Sequence, residues 1–127
     1  MSQTKIQLDW SPVEKFLREG TEAGYLMSII EAEKLFRDFL VQNGFKIRNW
    51  QRINKLLKQF VSQPEKFSQA RRTYYQIIQE PLFKINTEET KGIIKNYWQA
   101  IIDLDEAINC LSLREKIWLK IKCFLAL

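Results

Sequence analysis

The stretch TEETKGIIKNYWQAIIDLDEAINCL, running from Thr87 to Leu111, decides the fold. Its apolar residues Ile94, Tyr97, Ile101, Leu104, Ile108 and Leu111 fall alternately three and four positions apart. That spacing lines up one face of an α-helix, whereas a half-buried strand would alternate every second residue. A long stripe of this period suits near-antiparallel packing in a helical bundle.

The same period extends outward along the chain. Between Thr21 and Gln42, the set Tyr25, Ile29, Ala32, Phe36 and Phe39 advances by four and three, and Asn43-Gly44 reads as the stop. Glu33 with Arg37 and Lys34 with Asp38 make i,i+4 pairs expected on the outer side of that helix. A helix over about Asn49–Val61 would bury Trp50, Ile53, Leu57 and Phe60. Another over Pro64–Gln79 would bury Phe67, Ala70, Tyr74, Ile77 and Ile78. Pro81 breaks the latter and leads into a short extended stretch, Leu82–Ile85.

Helix-start signals agree with this division. Ser11-Pro12-Val13-Glu14 has the capping-box pattern with proline at the first helical position. Gly20 would end that short helix and Thr21 cap the next. Ser62-Gln63-Pro64-Glu65 and Ser112-Leu113-Arg114-Glu115 repeat the pattern, and Asn86-Thr87-Glu88-Glu89 is a looser version. With four glycines and three prolines in 127 residues, the chain has few places to turn. The expectation is one all-α domain over residues 1–127, a bundle of five to six helices. Residues 1–10 form its lead-in and 112–127 a C-terminal amphipathic helix.

Composition removes many function classes. The chain has no histidine, so the usual general acid–base residue and the commonest metal ligand are both missing. It contains no glycine-rich phosphate loop and no nucleophile elbow. Asp103, Asp105 and Glu106, and separately Glu31 and Glu33, are the densest carboxylate groups, but their spacing does not turn them jointly inward. No metal, cofactor, catalytic residue or small-molecule substrate is inferred. Cys110 and Cys123 lack a CxxC spacing and read as core thiols of a reducing cytosol, with a disulfide or a reactive thiol as the alternatives. No apolar leader or span is evident, which makes the cytoplasm the expected location and membrane association disfavoured.

The charge is unevenly spread. Residues 1–40 carry a net −2, residues 41–84 a net +7, and residues 85–127 are neutral, for a total of +5. Arg48, Arg52, Lys55 and Lys58 fall on one arc of the third helix, opposite Trp50, Ile53 and Leu57. Arg71 and Arg72 follow on the fourth helix with Tyr75 nearby. Three readings fit this basic strip: contact with RNA phosphates, contact with an acidic protein partner, or a solvated face that maintains solubility. The C-terminal segment, with Leu113, Ile117, Trp118, Ile121, Phe124 and Leu125 flanked by basic residues, fits a core helix, a dimer interface, a partner's groove or an anionic membrane surface.

Further residues carry a family resemblance. Asp9-Trp10, Val13-Glu14-Lys15-Phe16-Leu17-Arg18-Glu19-Gly20, the run from Ser28 to Leu40 and Asn43-Gly44-Phe45 together resemble a group of small bacterial proteins, itself similar to the HEPN superfamily of helical bundles. Pro81–Glu89, Tyr97 and Ala100–Leu104 extend the similarity, which covers about residues 9–106. Active HEPN ribonucleases carry an arginine and, about five positions later, a histidine. The matching positions here hold Tyr74 and Gln79, so the resemblance implies a degenerate motif and does not carry the ribonuclease activity over. It implies instead a homodimeric, non-catalytic binding or assembly module, and the basic strip makes an acidic partner or RNA the expected ligand. Two alternatives stand beside it: an atypical ribonuclease using Tyr74, Tyr75, Arg71 or Arg72, and a structural subunit that docks through its C-terminal helix.

Overall fold

A computed structural model describes residues 8–45 and 50–110. Five helices follow in order: α1 (Ser11–Glu19), α2 (Glu22–Gln42), α3 (Trp50–Phe60), α4 (Pro64–Gln79) and α5 (Thr87–Cys110). No strand occurs among the described residues. The stretch Leu82–Ile85 is a turn followed by irregular chain, with Leu82 exposed and Ile85 buried. The segment 112–127, Arg48 and Cys123 lie outside the described residues.

Local chemistry sets most of the boundaries. Gly20 ends α1 in the left-handed region at φ 66°, where a side chain would be strained. The Thr21 hydroxyl then accepts the Gly24 amide at 2.9 Å and starts α2. At α5 the capping box is reciprocal: Asn86 Oδ1 accepts the Glu89 amide at 2.8 Å, and Glu89 Oε1 accepts the Asn86 amide at 3.4 Å.

Two expected caps are replaced. Ser11 lies inside α1, and its amide donates to Asp9 Oδ1 at 3.0 Å, so a carboxylate takes the place of the hydroxyl. Ser62 does not cap α4, which has no side-chain cap. Its amide and hydroxyl instead donate to Asp103 Oδ2 at 2.9 and 2.6 Å, tying the α3–α4 turn to α5. An ionised acceptor makes the stronger bond and wins the serine.

One core draws on all five helices: Val13 from α1, Phe36 and Phe39 from α2, Leu57 from α3, Phe67 from α4, and Tyr97 and Leu104 from α5. Phe36, Phe67 and Tyr97 meet edge to face, with centroids 4.8 to 6.4 Å apart. A second cluster of Ile29, Ile77 and Ile85 closes the other end. On α5, Tyr97, Ile101 and Leu104 of the expected stripe are buried and Ile94 and Ile108 partly so, while Leu111 lies outside the described residues; Trp50, Phe60 and Tyr74, expected inside on α3 and α4, are half-buried. Ile78, expected inside on α4, is 53% exposed.

Helix α2 is the centre of the assembly, because α1, α4 and α5 all pack on it. At Gly24 the approach of α1 is so close that an added Cβ would lie 2.5 Å from the Phe16 carbonyl oxygen. Covered on three sides, α2 buries more than the stripe its period marks out. Ser28, Glu33, Leu35 and Leu40 are buried in addition to the expected face. The expected outward placement of Glu33 is therefore corrected: its side chain is 1% exposed.

Candidate functional site

Burying a carboxylate is unfavourable unless its charge and lone pairs are answered. Around Glu33 every acceptor site is taken. Oε2 receives Arg37 Nε at 2.6 Å and Arg71 Nη2 at 2.7 Å. Oε1 receives the Tyr97 hydroxyl at 2.7 Å and Arg71 Nε at 3.1 Å. Two hydrogen bonds on each oxygen exhaust the four lone-pair sites of a carboxylate.

The fold supplies each partner from a different direction. Arg37 is one turn along α2, Arg71 comes from α4 and Tyr97 from α5. The Trp50 ring at the start of α3 packs against both guanidiniums, 4.0 Å from Arg71 Cζ and 5.2 Å from Arg37 Cζ. Tyr75, one turn beyond Arg71, accepts from Arg37 Nη2 at 3.2 Å and from Arg71 Nη2 at 3.3 Å. Three helices are thus joined through one carboxylate, and Trp50 adds α3 by packing on its arginines.

The electrostatics follow from this arrangement. Burial pushes the Glu33 carboxyl up, but the Arg71 hydrogen bond and charge, with Tyr97 and Arg37, outweigh it and hold the group below its ordinary value. Burial likewise works against both guanidiniums, and Glu33 more than compensates. The Tyr97 hydroxyl is pushed far up, by burial first and then by the Glu33 charge. At neutral pH Glu33 is an anion whose four acceptor sites are all committed to its three partners, so no site is free to accept a substrate proton. Two guanidiniums on one carboxylate leave the cluster with an excess positive charge.

That excess faces a cavity of about 340 Å³ between α3 and α4. Its polar lining comes from Asn54 and Lys58 on α3 and from Ser68, Arg71, Arg72 and Tyr75 on α4. No acidic residue lines it among the described residues.

The basic residues singled out from sequence divide in this setting. Lys55, Lys58 and Arg72 are exposed. Arg52 lies on α3, and Arg48 falls outside the described residues. Arg71 is buried, at 7% exposure, and is an internal partner of Glu33, because consecutive residues on a helix point about 100° apart and α4 turns Arg71 inward and Arg72 outward. Tyr74 is half-buried against the second hydrophobic cluster, with its ring edge-on to Tyr75, and Gln79 is exposed at the end of α4.

Sequence reasoning missed the Glu33–Tyr97 link and the roles of Trp50 and Tyr75. The one available signal was Glu33 itself, a charged residue next to Ala32 and three before Phe36 on the apolar side of α2. Among the described residues, no group of three or more acidic or cysteine side chains could hold a metal ion. None of their helices is long and apolar enough to cross a membrane. Comparison of the chain with protein-family models, curated proteins and solved structures finds no match.

Proposed function

We propose that this protein is a non-catalytic helical binding module whose α3–α4 face takes RNA. The observation that supports this reading most is the cavity between those helices, basic and with no acidic lining residue among the described residues, set against an arginine pair that one carboxylate only half neutralises. Lys55, Lys58 and Arg72 extend the positive charge onto the exposed surface. Phosphate contacts from such residues give salt-sensitive affinity.

The HEPN-like identity and self-association belong to the same reading, supported by the all-α order and by the residues of α1, α2 and α5 that carry the resemblance. The absence of catalysis is supported by the chemistry of the site: the positions expected for arginine and histidine hold Tyr74 and Gln79, and the buried carboxylate has no free lone pair.

Fluorescence anisotropy of a labelled single-stranded RNA, titrated with protein across a salt series, tests the proposal. Binding is expected to weaken as salt rises, with Lys58→Glu and Arg72→Glu each reducing the salt slope by about one. Lack of binding at low salt, or binding unchanged by both substitutions, would reject the face as a nucleic-acid site.

A further inference from the structure

At the α3–α4 cavity two lining donors have a fixed direction and no partner among the described residues. Tyr75 Oη accepts hydrogen bonds from Arg37 Nη2 and Arg71 Nη2. Those two bonds occupy both lone pairs of the hydroxyl, so its own proton must point away from the arginines. It has no acceptor among the described residues. Arg71 is committed through Nε and Nη2, while Nη1 has no hydrogen-bond partner among the described residues. The Arg71 side chain is only 9% exposed, and it lines the cavity together with Tyr75. A solvent-reached edge of an otherwise buried guanidinium and an oriented hydroxyl therefore line one small space.

We infer that this cavity is a phosphate monoester site, and that the monoester it takes is the 5′-phosphate at the end of an RNA strand. This rests on the RNA-binding reading above and names the group recognised. Tyr75 Oη and Arg71 Nη1 donate to the phosphate oxygens, and Ser68 and Asn54 offer further polar contacts from the cavity wall. Lys58 and Arg72 at the same cavity bring two more positive charges beside the excess one of the Glu33 cluster. Three positive charges match a monoester dianion better than the single charge of an internal phosphodiester.

Size points the same way. A space of about 340 Å³ lies at the small end of ligand sites and has room for one terminal phosphate group. Lys55, exposed three residues before Lys58 on α3, is a further positive charge on that helix for the following phosphate.

The test uses the full chain and 3′-labelled single-stranded RNAs that differ only in carrying a 5′-phosphate or a 5′-hydroxyl. The 5′-phosphorylated strand is expected to bind about tenfold more tightly, as an added charge-assisted hydrogen-bond set implies. Tyr75→Phe is expected to abolish that preference, bringing the ratio of the two strands' affinities to about one. Arg72→Gln, an exposed position where folding is not at stake, is expected to reduce the preference and serves if Tyr75→Phe fails to fold. A nucleoside 5′-monophosphate and a phosphoserine peptide are run as competitors. Displacement by the free nucleotide at concentrations similar to the RNA supports the monoester site and identifies the nucleotide as sufficient. Stronger displacement by the phosphopeptide overturns the RNA end as ligand. Equal affinity for the two strands, with salt-sensitive binding still weakened by Lys58→Glu, overturns this inference and leaves the RNA-binding face standing. A preference that survives both Tyr75→Phe and Arg72→Gln also overturns it. Failure of both strands to bind overturns the face and the inference together.

Discussion

Arg71 Nη2 lies 2.7 Å from Glu33 Oε2, and Arg71 Nε lies 3.1 Å from Oε1, so α4 grips α2 through a two-pronged ion pair across 38 residues of chain. Both side chains are more than nine-tenths buried. Such a pair is worth little against apolar residues of the same shape, but removing one partner leaves the other charged and stranded. The cluster therefore specifies how the helices dock more than it adds to stability.

Glu33→Ala is expected to lower the unfolding free energy by about 3–5 kcal/mol, because two guanidiniums lose their counter-ion. The double replacement Glu33→Leu with Arg71→Met is expected to cost less than the sum of the two single changes. Urea denaturation of the four proteins measures the coupling, and strict additivity would contradict the ion pair.

Acid should expose the same pair. The folded Glu33 carboxyl sits below its ordinary value of 4.5, so on acidification the unfolded chain takes up the proton first. The stability contributed by Glu33 is complete above that ordinary value and is lost as pH falls through the lower folded one. Asp103, raised by burial but lowered further by Ser62 and Gln99, adds a change of the same sign. Urea midpoints taken downward from pH 7 are expected to drop most steeply below about pH 4.5. In Glu33→Gln the curve should start lower and be flatter, and an equally steep fall in that variant would remove Glu33 from the explanation.

Tyr97→Phe keeps the ring that packs edge-on to Phe36 and Phe67 but removes the donor to Glu33 Oε1. A hydrogen bond to a charged group is worth about 1.5–3 kcal/mol. That loss is expected in chemical denaturation with helix content by circular dichroism unchanged. A stability equal to the wild type would mean that the hydroxyl is not bonded to the carboxylate.

At Gly24 the constraint is one of space. A Cβ there would collide with the Phe16 carbonyl, a backbone atom that cannot swing aside. Gly24→Ala is expected to cost about 1–3 kcal/mol through overpacking, and to make α1 the first segment cut in limited proteolysis. Cleavage starting elsewhere would show that α1 absorbs the methyl group by shifting as a unit.

Sequence alone carried the all-helical fold. The alternation of threes and fours from Ile94 to Leu104, the left-handed stop at Gly20 and the cap at Thr21 all depend on chemistry within a turn or two of the chain, so they are legible before any tertiary contact is known. What depended on neighbours was not. Ser62 left its own helix for Asp103, a residue 41 positions away. Glu33 had the spacing of a solvent-facing ion pair with Arg37, and only the packing of α1, α4 and α5 around α2 turned it inward and made Arg71 its partner. Periodicity states which residues share a face of a helix, but the number of faces that become covered is set by the other helices. Here that covering decided which positive charges stay on the surface and which meet at the α3–α4 cavity.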